Sequence, residues 1–293
     1  MKALYDVPAP AKLNLFLHIV GRRPDGYHLL QSVFMLVDWC DTLHFEVRDA
    51  GHISREDTGA PLPDDDLVVR AARALQQACA TTRGVHIRLE KRIPVQAGMG
   101  GGSSDAASCL LALNRLWRLG LSLSQLEKIG LGLGADVPFF LRGRNAWVEG
   151  IGEQICPLDL PPARFVVVKP PEGVETALIF GDKQLKRDSA PAIISGFAAN
   201  PDGSFPFGFG HNDLQPVAQR HCPAVTQALQ WLGDQGLQAR MTGSGSAVFA
   251  QVTQENALLP APAGWQVREC MNLAAHPLIG WAGSDDFGGG PDS

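Results

Sequence analysis

The segment Gly98-Met99-Gly100-Gly101-Gly102-Ser103-Ser104 constrains this chain more than any other. It follows Val85–Leu89, whose alternating apolar residues predict a strand. It precedes Ala106–Leu119, an Ala- and Leu-rich run that predicts a helix stopped by Gly120. Glycine permits positive φ and lets backbone N–H groups come close to a ligand. Free N–H groups at the start of the following helix, with its dipole, favour an anion. In this strand–helix setting the segment reads as a phosphate cradle, although a Gly-rich run can also be only a turn. It is not a Walker A loop, because the Gly-Lys-[Ser/Thr] ending is missing. The dinucleotide fingerprint, Gly-x-Gly-x-x-Gly with an acidic residue about 20 positions on, is not met either.

What the cradle can serve is narrowed by the rest of the chain. Its 293 residues suggest two domains, and 45% hydrophobic with 19% charged residues describes a globular protein and excludes a disordered chain. A net charge of −5 disfavours nucleic acid as a partner, since that affinity rests on an excess of Lys and Arg. It leaves room for a small anionic molecule in a local pocket. Cys40, Cys79, Cys109, Cys156, Cys222 and Cys270 form no Cys-x-x-Cys pair and read as reduced thiols. The first residues lack the apolar core of a signal peptide, and no run of 18 apolar residues occurs. A cytoplasmic protein without a membrane partner is expected.

Along the chain, residues 9–19 alternate. Leu13, Leu15, Leu17 and Ile19 are expected on one face of a strand, with Lys12, Asn14, Phe16 and His18 on the other. Gly21-Arg22-Arg23-Pro24-Asp25-Gly26-Tyr27-His28 reads as a turn-rich loop, and Val33–Val37 and Leu43–Val47 as two strands. Residues 49–66 look loop-like, ending in an acidic triplet that either caps a helix over Leu67–Ala80 or is a solvated turn. Ser122 with Gln125 predicts a capping box. Phe165–Lys169 reads as a strand, 214–233 as helical, and 237–252 as a strand, a Gly-rich turn at Thr242–Ser246, and a strand. The Pro-rich stretch near Cys156 suggests a boundary, giving domains 1–155 and 156–282, and 283–293 reads as a disordered tail.

Asp136 is the only charge between Ile129 and Leu141. A carboxylate there is poorly solvated unless paired. On spacing alone it is equally a helix cap or a loop acceptor, just as Lys12 can be a solvated strand lysine. Tyr27-His28 can be packing or surface, and Phe180 can be core.

Pro94–Ala107, with its Gly-x-Gly-Gly-Gly-Ser-Ser run, resembles the second motif of the GHMP kinase superfamily. Ala9–Asn14 resembles the first motif and Ala239–Ala250 the C-terminal Gly-rich one. Three more segments are similar to the branch that phosphorylates a cytidine diphosphate-linked methylerythritol. They are Pro10–Leu15 with Arg23–His28, Gly134–Phe140, and Asn212–Val217. The resemblance runs in order over residues 8–280.

It implies an α+β GHMP kinase fold, with an N-terminal half like ribosomal protein S5 domain 2, a ferredoxin-like C-terminal half, and the active site in the cleft between. It implies transfer of the ATP γ-phosphoryl to the substrate 2-hydroxyl, giving the 2-phosphate and ADP, in the non-mevalonate isoprenoid route. By the same resemblance Lys12 and Asp136 are catalytic. Pro94, Val95, Gln96, Ala97, Gly98, Met99, Gly100, Gly101, Gly102, Ser103 and Ser104 bind ATP. Asn14, Tyr27, His28, Thr176 and Phe180 bind the acceptor, with Tyr27 and Phe180 on the two faces of the cytosine ring. Mg²⁺ is expected with ATP, with Ser104 the best protein candidate to hold it, and the protein is expected to be a monomer or weak homodimer. Asp66 stands where the family often has an asparagine near adenine. Other readings are a homoserine- or mevalonate-type kinase, which gives Tyr27, His28 and Phe180 nothing to stack on, and a non-catalytic nucleotide-binding member, which needs neither Lys12 nor Asp136.

Overall fold

A computed structural model of the chain describes residues 1–49, 51–59, 61–194, 206–253 and 258–283. Strands β1 (Ala3–Arg22) and β2 (His28–Arg48) pair antiparallel along almost their whole length. The other edge of β2 is shared: its C-terminal part pairs with β4 (Gly84–Glu90) and its N-terminal part with β5 (Ala146–Gly150). β3 (Ile53–Thr58) extends the sheet beside β4, and β6 (Gln154–Pro157) beside β5. The two strands expected at 33–37 and 43–47 are therefore one. The polar interruption between them is tolerated because buried Asp41 accepts from the backbone N–H of Arg92 (2.6 Å) and Ile93 (2.8 Å). β3 lies in a stretch expected to be loop, since its Ser-Arg-Glu-Asp sequence has no apolar alternation.

A second sheet has the order β10–β7–β9–β8, from β7 (Arg164–Lys169), β8 (Ala239–Met241), β9 (Val248–Val252) and β10 (Gln266–Met271), all antiparallel. In chain order this is 4-1-3-2, the ferredoxin-like arrangement. Four layers result. Helices α1 (Leu67–Ala78), α2 (Gly101–Trp117), α3 (Leu123–Leu131) and α4 (Val137–Arg142) cover the outer face of the first sheet. Ala11, Leu13, Val33 and Met35 of that sheet meet Phe165, Val167 and Phe249 of the second. α6 (Gln215–His221) and α7 (Pro223–Gly233) cover the second sheet's far face, with a Pro at the start of each. The short α5 (Thr176–Gly181) follows β7.

The alternation in β1 does not keep one phase. Asn14 pairs with Phe34 but Leu17 with Ser32, so β1 carries one extra residue there. That bulge puts Leu15 and Phe16 together in the core between the sheets and sends Leu17 and Ile19 to the core under α6 and α7. The expected single face of Leu13, Leu15, Leu17 and Ile19 is thus split, and the polar face is buried too, Lys12 and Asn14 included.

α2 begins at Gly101, five residues before its expected start, and ends at Trp117, with Arg118 (φ 56°) rather than Gly120 in the left-handed cap. The Ser122–Gln125 capping box opens α3, and Asp66 caps α1 by accepting from Val69 N (3.0 Å). The chain leaves the first sheet after Pro157 and enters the second at Arg164, a little beyond the division expected at 155/156. Residues 272–283 then return to the first half. Leu273, Leu278 and Trp281 pack on its helical core, and Gly283 O accepts from Leu123 N (3.0 Å), so Gly283 is docked rather than part of a tail. The rest of the expected tail, 284–293, lies outside the described residues. All six cysteines are free thiols, and no described helix is long and apolar enough to cross a membrane.

Candidate active site

The edge of β1 away from β2 is where the two halves meet. Met99 O accepts from Lys12 N (3.0 Å). Farther along, Leu17 N donates to His211 O (2.9 Å) and Leu17 O accepts from Asp213 N (2.8 Å). Asp213, buried, accepts from Ile19 N (2.7 Å) and Ser189 Oγ (2.6 Å). Asn212 donates to Met241 O and Gly243 O, both at 2.8 Å. The Asn-Asp pair thus fastens the C-terminal Gly-rich turn to β1.

That turn in turn seats the phosphate-type loop. Ser246 N donates to Gln96 O (3.1 Å) and Ala247 N to Ala97 O (3.2 Å). The contact is close enough to require glycine on both sides: a Cβ on Gly243 would lie 2.5 Å from Gly98 O, and one on Gly98 would collide with Thr242 O. Positive φ in the first loop falls on Gln96 (51°) and on Gly98 and Gly100, both at 70°. Gly100 precedes α2 with no side-chain cap, leaving the first N–H groups of the helix to a ligand.

The loop forms one wall of a cleft of about 850 Å³. Lys12, Asn14, Pro94–Ser103, Asp136, Thr176 and Phe180 share this cleft. Ser104, expected on the wall, is fully buried behind it, and its Oγ has no hydrogen-bond partner. Tyr27, on the β1–β2 turn, is 61% exposed and does not line the cleft. His28 does not line the cleft either; its ring lies beside that of Phe180, with centroids 5.2 Å apart and planes tilted by 42°. Asn14 does not point a free amide at a ligand. Its oxygen holds Lys12 Nζ, its nitrogen donates to Ser32 Oγ (2.9 Å), and its backbone N–H donates to Thr242 Oγ1 (2.9 Å).

At the cleft's centre Lys12 Nζ lies 3.7 Å from Asp136 Oδ2, with Lys12 buried and the Asp136 side chain 30% exposed. The Lys12 ammonium also sits over the Phe34 ring at 4.8 Å. Burial pushes the Lys12 ammonium down from its ordinary value, and Asp136 pulls it back. Asp136 begins α4 but its carboxylate caps no backbone N–H, so the helix-cap reading of this residue is set aside.

Beneath the loop, Lys91 Nζ bridges Asp41 and Asp105 (2.7 Å to the latter). Burial drives the Asp105 carboxyl well above the usual carboxylate range, while Lys91 draws it back. At the other end of the cleft, Asp66 is clamped by Arg55, and Leu62, Asp65, Leu67 and Arg70 complete the wall. Leu62 and Arg70 were not expected at the site. They carry no motif, and only the path of the chain after β3 brings them in. Thr176 Oγ1 and Ser244 Oγ, 2.8 Å apart, join α5 to the Gly-rich turn.

Residues 66–144 match the family model described as GHMP kinases N terminal domain, and 207–259 match GHMP kinases C terminal. The 4-diphosphocytidyl-2-C-methyl-D-erythritol kinase of Variovorax paradoxus (strain S110) is 68% identical, over 96% of this chain and 100% of the relative. That of Albidiferax ferrireducens is 70% identical, over 97% of this chain and 98% of the relative. Among solved structures, a 4-(cytidine 5'-diphospho)-2C-methyl-D-erythritol kinase superposes with a TM-score of 0.73 at 32% identity, covering 92% of this chain and 98% of that one.

Proposed function

The chain belongs to the GHMP kinases, in the family of 4-diphosphocytidyl-2-C-methyl-D-erythritol kinases, and from that premise we propose that it transfers the γ-phosphoryl group of ATP to the 2-hydroxyl of 4-diphosphocytidyl-2-C-methyl-D-erythritol. The products are the 2-phosphate and ADP, in the non-mevalonate route to isoprenoid precursors. The observation that carries the mechanism is the Lys12–Asp136 pair, 3.7 Å apart in the same cleft as an uncapped helix N-terminus.

Phosphoryl transfer needs positioning and charge neutralisation more than covalent help. The N–H groups at the start of α2 and the turns at Gly98 and Gly100 hold the phosphates. Asp136 accepts the proton of the attacking hydroxyl as the new P–O bond forms and the bond to the ADP oxygen breaks. Lys12, beside Asp136, offsets charge on the transferring group. Asn14, fixed by Ser32 and Thr242, holds Lys12 in place. The acceptor's base lies toward Phe180 and His28, with Tyr27 on the far side of the ring.

Ser104 Oγ is a buried hydroxyl oxygen without a partner just behind the loop, a ligand type suited to Mg²⁺. Because Ser104 is buried behind the cleft wall, Mg²⁺, which would supply positive charge to the ATP phosphates, would be held chiefly by those phosphates and water. A cytoplasmic site of action is part of this reading, and six free thiols support a reducing compartment. Phosphorus NMR of a reaction with ATP and the cytidyl acceptor tests the transfer. A new phosphate monoester in step with ADP is expected, and release of free inorganic phosphate in its place would contradict it.

A further inference from the structure

We propose that Arg187 sets the base selectivity of this kinase as a positioning residue, by holding His28 as the neutral ring with its proton on Nδ1. The inference rests on the reading above that the acceptor's cytosine meets His28.

Arg187 Nε donates to His28 Nε2 at 3.0 Å. A guanidinium has only donors and does not lose its proton, so His28 Nε2 must present its lone pair. The single ring proton is then on Nδ1, for which no hydrogen-bond partner is found among the described residues. The guanidinium is itself fixed, since Nη1 donates to Leu185 O (2.9 Å) and Nη2 to Asp182 O (2.7 Å) and Phe180 O (3.4 Å). Those carbonyls belong to the end of α5 and the turn after it, the segment that carries the Phe180 ring. One side chain therefore joins β2 of the N-terminal half to the aromatic wall of the other. Burial, then the charges of Arg187 and Arg22, push His28 below its ordinary value, in keeping with a ring that stays neutral near pH 7.

The chemical consequence is a donor-only contact at Nδ1. Cytosine presents an acceptor at ring N3, whereas uracil carries a hydrogen there and meets that donor with another. Without Arg187 the neutral ring can take either tautomer and accept as readily as donate.

The test compares cytidyl and uridyl acceptors with ATP on the wild type, Arg187→Gln and Arg187→Lys. Wild type should strongly prefer the cytidyl acceptor. Both variants should raise its KM by about tenfold, the scale of one hydrogen bond, and lower the cytidyl-to-uridyl ratio of kcat/KM by a similar factor. KM for ATP should not move. In a His28→Ala background, Arg187→Gln should change the ratio no further. Nitrogen NMR of the wild-type imidazoles should show His28 protonated on Nδ1, a readout that needs no variant to fold. A ratio unchanged in folded Arg187 variants, or an Nε2-protonated His28, overturns the proposal. If His28→Ala alone leaves the cytidyl KM unchanged, the placement of the base at His28 fails first, and this inference falls with it.

Discussion

The proposed transfer rests on two side chains whose environments differ, Asp136 and Lys12. Asp136 keeps contact with solvent and caps nothing, which suits a carboxylate that must take up and release a proton. Asp136→Asn should lower kcat by about 10²–10⁴-fold, the usual loss on removing a positioned base, with calorimetric affinity for a non-hydrolysable ATP analogue nearly unchanged. A variant that keeps more than about a tenth of wild-type kcat would remove Asp136 from that role. Elsewhere, single residues record the pH at which the fold weakens. Burial pushes His276 down to about 4, and burial, then His211, does the same to His18. In the unfolded chain both titrate near the ordinary value of about 6.5. Between those values the unfolded chain binds more protons, so stability is full above about pH 6.5 and falls as the pH drops toward 4. For His276, nearly inaccessible, the loss is on the order of 3 kcal/mol. Melting temperature against pH should fall through this window in wild type and less steeply in His276→Gln; parallel slopes would contradict it.

The elements show why some of the site could be read from residue order and some could not. The Gly-rich loop, its flanking strand and helix, and the Ser122 capping box follow from local chemistry and appear within a few residues of where the pattern puts them. The bulge after Asn14 does not, because an extra residue in one strand is fixed by its partner's register, which strict alternation ignores. Nor does the clasp between the two glycine turns, formed by residues far apart in the chain. Lys12, Asp136, Thr176 and Phe180 meet in one cleft, as their motifs imply, whereas Ser104 is pulled behind the wall by the early start of α2 and Tyr27 stays on an exposed turn. The clasp also makes a prediction. Gly98→Ala meets a positive φ and the Thr242 carbonyl at once, so it should weaken affinity for an ATP analogue at least about tenfold. Gly102→Ala, where a Cβ meets only Leu67 Cδ1 at 3.5 Å, should preserve the fold, and its melting temperature serves as the control. Equal ATP affinity in Gly98→Ala and wild type would mean that the clasp does not shape the phosphate loop.

At the scale of the molecule, the cleft exists because two sheets share one core and the β1 edge. The C-terminal segment returns across the first half so that His276 N bonds Gly143 O (2.8 Å) directly after α4, the helix that Asp136 begins. On the proposed reading the acceptor site draws on both halves, with Tyr27 from the β1–β2 turn, His28 from the start of β2 and Phe180 from α5. Base–aromatic stacking is worth about 1–3 kcal/mol in alanine tests, so Phe180→Ala and Tyr27→Ala should each raise KM for the cytidyl acceptor by roughly 5- to 150-fold with KM for ATP little changed. An effect confined to ATP would place both rings outside the acceptor site. The central claim is that this cleft phosphorylates a cytidyl-linked polyol. It is tested most directly by measuring ADP release with ATP and Mg²⁺ against 4-diphosphocytidyl-2-C-methyl-D-erythritol, homoserine and mevalonate side by side. Saturable turnover with the cytidyl compound and background rates with the other two is the expected result; kcat/KM for homoserine or mevalonate equal to or above that for the cytidyl compound would contradict it.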